Sequence, residues 1–251
     1  MRNSNPVFSN LEKQKATMVI DDVKAVSFHG IAIKSIICLL VAIGAGILAP
    51  TILGNNEGLL YFILFFSGIT SFIMVFVGMR STKMAAPMAI GYSVVNGLFL
   101  GILTYVVNII VYQEFGFANV GLAAIIGTAS VFGVMFVLYY TGIIKVTQRL
   151  RSIVVGSLIA ILVATLLMWL FGMGNLIRGE NFGLSVLFSA IMIIIGALML
   201  TINFDSASKL VEMKAPKQYE WQVALGLMVT IVWLYVEILR LAIILLGRNR
   251  N

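Results

Sequence analysis

Seven apolar stretches, each close to the length needed to cross a bilayer, follow one another along this chain with only short polar connectors between them. They run from Ile31 to Ile52, Leu59 to Val77, Ala85 to Val111, Ala118 to Tyr140, Ile153 to Phe171, Leu184 to Asn203 and Gln222 to Leu246. A hydrocarbon core of ~30 Å takes ~20 residues of helix, and inside it only a helix or a closed barrel satisfies its own backbone. Runs of this length and continuity are helices. With 61% of its residues hydrophobic and 11% charged, the chain has too little polar surface to hide them in a soluble domain. The fold class is therefore all-α, a polytopic membrane protein with seven transmembrane helices. Its expected organisation is an amino-terminal segment 1–30, one helical domain 31–246 and a carboxyl tail 247–251.

Positive charge sets the orientation, because loops rich in Lys and Arg stay on the cytoplasmic side. Arg2, Lys13, Lys15 and Lys24 precede the first run, and alternate connectors carry Arg80 and Lys83, then Lys145, Arg149 and Arg151, then Lys209, Lys214 and Lys217. The amino terminus is expected to be cytoplasmic. The opposite connectors carry Glu57, Glu114 and Glu180 against Arg178 alone, while Arg248 and Arg250 in the tail run against the pattern. The first thirty residues include Glu12, Lys13, Asp21, Asp22 and Lys24 and lack the apolar core of a secretory signal, so insertion is expected to use the spans themselves. The segment is compatible with an interfacial helix or with a mobile tail.

Several functions are excluded for want of parts. One cysteine, Cys38, cannot make an intrachain disulfide, and one histidine, His29, cannot form a zinc-protease motif or a soft metal cluster. No serine-nucleophile elbow and no phosphate-cradling glycine loop occur, and the last run holds no lysine for a retinal linkage. No enzymatic activity and no cofactor are expected. The net charge of +7 is dispersed among connectors and forms no patch for nucleic acid.

Two acids at or within the apolar runs stand out. Asp205 follows Leu200-Thr-Ile-Asn-Phe204, and Glu237 lies in Trp233-Leu-Tyr-Val-Glu-Ile-Leu-Arg-Leu241. A charge at mid-bilayer costs about 2.5 to 3.5 kcal/mol on insertion scales, so intramembrane carboxylates mark functional sites by default. Small residues serve a plainer purpose. Gly97 and Gly101 are four apart, a spacing that brings two helix backbones together, and helix packing is the reading for both.

Taken together, the seven runs, Pro87 followed by Gly91-Tyr-Ser-Val-Val-Asn-Gly97 and Phe99-Leu-Gly101, and the closing Leu234-Tyr-Val-Glu-Ile-Leu-Arg-Leu241 resemble the Bax inhibitor family in its bacterial branch. The resemblance covers nearly the whole chain. It implies a last helix surrounded by the other six, a bacterial plasma-membrane location, and a pair of acids on the last two helices that shares a proton. In that likeness the acids fall on Asp205 and Glu237 and an arginine latch on Arg80, together gating a leak of calcium that the two carboxylates bind weakly and transiently. Asn96 stands where many members carry an acid, and Arg240 where they carry an asparagine, so both are modulating positions.

The residues by themselves leave two arrangements open. Two carboxyls in contact away from water cannot easily both ionise and would titrate as a pair, a proton-dependent switch. Alternatively, Glu237 and Arg240, three apart on one helix, form their own ion pair. For the acids to meet, the sixth helix has to continue past Asp205 until Pro216 interrupts it, and that continuation is expected. The competing function is a non-transporting regulator that binds a membrane protease or another membrane protein. In either case the partners are the lipid bilayer, calcium and protons, or a second membrane protein.

Overall fold

The computed structural model describes residues 25–54, 56–116, 119–170 and 182–248. Most of the segment 1–30, the connector with Arg178 and Glu180, and all of the tail past Arg248 lie outside them. Seven helices follow in order: α1 (Phe28–Leu53), α2 (Glu57–Arg80), α3 (Ala85–Phe115), α4 (Val120–Tyr140), α5 (Gln148–Leu170), α6 (Phe182–Glu212) and α7 (Tyr219–Arg248). Among the described residues six of them are long and apolar enough to cross a membrane, and α5 is not counted with them. The only extended pairing among these residues is an isolated bridge between Ala25 and Pro216.

Several helix ends carry a local signal. Ser27 caps α1, its hydroxyl accepting from the Gly30 amide at 2.9 Å, and Gly54 closes the helix at φ 52°, where a side chain would be strained. Asn56 caps α2 through the Leu59 amide at 3.1 Å. The left-handed Asn119 offers α4 no side-chain cap, and Asn108 of α3 instead accepts from the Gly121 amide at 3.2 Å. The expected continuation of the sixth helix is present: α6 runs on to Glu212 and ends through left-handed Lys214, with the Ala215 amide returning to Leu210 O at 3.0 Å.

The contacts divide the chain into two compact units, Met1–Leu103 with Ser206–Val229, and Thr104–Asp205 with Thr230–Asn251. The division cuts through α3, α6 and α7, so these helices belong to both units.

In the first unit, α1 and α3 meet on small residues. A Cβ placed on Gly97 would lie 2.8 Å from the Ala42 Cα, and one on Gly101 would lie 2.7 Å from the Gly46 Cα. Both glycines are where backbone touches backbone. Gln222 ties α7 to the end of α2 by donating to the Gly78 and Met79 carbonyls at 3.0 and 3.1 Å, groups that a helix terminus leaves unpaired. In the second unit, Phe204 of α6 meets Phe132 and Phe136 of α4 edge to face at 5.4 and 5.5 Å, and Val154, Ile195 and Ile202 join α5 to α6.

Burial follows the order that the resemblance implied. No residue of α7 from Tyr219 to Ile244 is exposed, whereas α2 turns Phe65 and Phe72, 69% and 71% exposed, outward. Apolar surface of that extent is a lipid-facing side. The last helix is the enclosed one, and its polar side chains are those that need partners.

Candidate functional site

Several hydroxyl and amide groups on the helices find partners on their own or a neighbouring helix. Ser93, Thr128 and Thr201 bond back to carbonyls one turn earlier, and the Thr104 and Tyr235 hydroxyls share a hydrogen bond of 2.6 Å. Asn96 donates to Ser71 Oγ at 2.8 Å and to the Tyr92 carbonyl at 3.0 Å, which makes it an α2 to α3 contact.

Asp205 is met by a cation from α5. Arg151 Nη2 donates to its Oδ2 at 2.9 Å, with the two side chains 23% and 13% exposed. Glu237 lies on α7 with Arg240 one turn on, Nη1 to Oε2 4.0 Å, and the Trp233 indole one turn back as its hydrogen-bond donor. The arginine is drawn aside by Phe188, its guanidinium 5.2 Å from the ring centre. Glu237 Oε2 is consequently buried without a hydrogen-bond partner, and so is Ser189 Oγ on α6. A buried acceptor left open is expensive, so Glu237 is held at a cost that its helix alone does not offset.

The register of α6 against α7 decides whether the two acids meet. Asn203 Nδ2 donates to Thr230 Oγ1 at 2.8 Å and so sets these two residues level on antiparallel helices. Asp205 is two residues to one side of that level and Glu237 seven residues to the other. At 1.5 Å per residue their Cα atoms are about 13 Å apart along the axis. The continuation of α6 past Asp205 is thus present without bringing the acids to one level, since the hairpin closes nearer to Asp205 than to Glu237. Each acid instead has an arginine beside it. Arg80, at the last turn of α2, lies over the Phe76 ring at 4.9 Å. Among the described residues no three His, Cys, Asp or Glu side chains gather as a metal cage.

If the Arg151 pair fastens α5 to α6, then removing either partner should loosen the helices by the same amount. In a double-mutant cycle of Arg151→Leu and Asp205→Leu, thermal unfolding in detergent should give a favourable coupling of about 0.5–3 kcal/mol. Additive losses would mean that the contact contributes nothing.

A third charged group escaped the sequence. Glu220, in the first turn of α7, is fully buried and accepts from the Ser27 amide at 3.0 Å, from the Ser27 hydroxyl at 3.3 Å and from Lys34 Nζ. Lys34 also reaches the Lys217 carbonyl and lies 5.3 Å above the Trp221 ring. The available signal was a lysine inside the first apolar run, which has to find an anion somewhere.

No curated protein and no solved structure matches this chain at a significant level. The family model described as "Bax inhibitor 1 like" matches residues 5–247. With nearly its whole length covered, and with an enclosed last helix that bears a buried acid, the chain belongs to the Bax inhibitor 1-like family.

Proposed function

We propose that the protein is a pH-sensitive cation leak, with calcium as the permeant ion and Asp205, Glu237 and Arg80 among its gating groups. The observation that carries the reading is the buried Glu237 carboxylate, one of whose oxygens has no hydrogen-bond partner inside a membrane-spanning helix. Proton uptake at Asp205 neutralises the partner of Arg151 and removes the ion pair that joins α5 to α6. Uptake at Glu237 likewise frees Arg240, whose hold on the carboxylate is already loose at 4.0 Å. On this reading acid favours opening. Calcium prefers six to eight oxygen ligands, so isolated carboxylates suit passage better than storage. Choice of calcium rests on the family resemblance.

The test is flux into vesicles that enclose a calcium dye. Wild-type flux should rise several-fold as the pH is lowered, Asp205→Asn should raise flux at neutral pH and weaken the response to pH, and Glu237→Gln should flatten what response remains. Arg80→Gln should move the pH of half-opening. A wild type that conducts at no pH would discard the leak and leave the non-transporting regulator, in which the acids only lock the fold, and unchanged flux in all three variants of a conducting protein would discard these gating groups.

A further inference from the structure

Glu220 lies outside the acids of the proposed gate, and its surroundings are built for one purpose. Its carboxylate is closed in by three donors, all from the start of α1: the Ser27 amide, the Ser27 hydroxyl and the Lys34 ammonium. Gly30 makes the seat, since a Cβ there would overlap the Glu220 carboxyl group. The carboxylate therefore lies against the first turn of α1, where free amides and the helix dipole favour an anion. The backbone just before α1 is drawn into the same place. Ala25 pairs with Pro216, the Val26 amide donates to the Ala215 carbonyl at 2.8 Å, and Val26, Ala215 and Tyr219 are all buried. Residues Ala25 to Ser27 thus form a strap across the α6–α7 connection.

The strap has little else to hold it. Among the described residues its amides donate one hydrogen bond to the connection and one to Glu220, and Phe28 and His29 immediately after it are exposed. Beyond the Val26 contacts with the connection, the bonds that fasten it among the described residues converge on one carboxylate. We propose that Glu220, Lys34 and the Ser27–Gly30 turn are a latch that keeps the strap closed over the start of the last helix, and that the closed strap restrains the leak. The first half of this inference stands on geometry alone, and the second rests on the leak reading.

Two measurements separate the halves. Val26→Cys introduces a thiol in the strap itself, at a position 4% exposed while the strap is closed, in a chain whose own Cys38 is fully buried. In full-length protein reconstituted into vesicles, a membrane-impermeant maleimide should label it slowly. Adding Lys34→Met with Glu220→Leu removes the whole charge set without stranding either partner, and should raise the labelling rate at least several-fold. An unchanged rate overturns the latch, whatever the flux does. In the same double variant without the added cysteine, basal calcium flux at neutral pH should rise several-fold. A disulfide between Ala25→Cys and Pro216→Cys should return it to the wild-type level, and reduction should release it again. Flux that does not respond to the disulfide, in a protein whose wild type does conduct, overturns the restraint. A wild type that conducts at no pH removes the leak reading while the labelling still decides the latch.

Discussion

Glu220→Ala is expected to lower the stability of the purified protein by about 3–5 kcal/mol, the usual consequence of removing one member of a buried ion pair. The loss has two sources. Lys34 is left charged in a pocket made for its partner, and the Ser27 amide loses the acceptor it meets at 3.0 Å. The informative variant is the double one, Lys34→Met with Glu220→Leu, which replaces both charges with apolar bulk. Buried pairs exchanged in this way often lose nothing, so most of the stability should return. Thermal unfolding in detergent of the two single variants and the double one checks it. A double variant as weak as Glu220→Ala would mean that the hydrogen bonds to Ser27, and not the charges, hold the strap.

The second large effect concerns the backbone contact between α1 and α3. Gly101→Val is expected to destabilise by at least the ~1–3 kcal/mol usual for overpacking, because its new atoms meet the Gly46 backbone and cannot push a flexible side chain aside. Gly97→Val should behave alike against Ala42. Gly44 supplies the control, since a Cβ there meets nothing within 4 Å. Gly44→Ala should be neutral or stabilising by up to ~1 kcal/mol, as a helical glycine exchanged for alanine in open space should be. If Gly44→Ala and Gly101→Val lowered the melting temperature equally, close approach would not be what the glycines are for.

The layout of the spans was legible because hydrocarbon imposes a length and forbids unsatisfied backbone, and both leave a mark in every run. The Gly97 and Gly101 pair was legible for the same kind of reason: spacing on one helix face is a local property. Asp205 and Glu237 announced themselves as acids in apolar company. Their partners did not. Arg151 is 54 residues before Asp205 and reads, in sequence, as one more positive charge beside a polar connector. Glu220 reads as an acid in the first turn of a helix, a favourable place for reasons of the helix dipole alone, and that plain explanation conceals its long-range partner. The level at which α6 and α7 pair was hidden as well. It depends on the Asn203 to Thr230 contact, two neutral residues that composition cannot rank above their neighbours.

The separation of Lys34 from Glu220 has a consequence for biosynthesis. The two are 186 residues apart, and at ~5–20 residues per second the ribosome needs roughly 10–40 s to travel from one codon to the other. Throughout that interval the nascent first helix carries an ammonium with no carboxylate to receive it, and the long side chain must reach for lipid headgroups. A chain that stops short of its final helix is thus chemically distinct from a finished one near its very beginning.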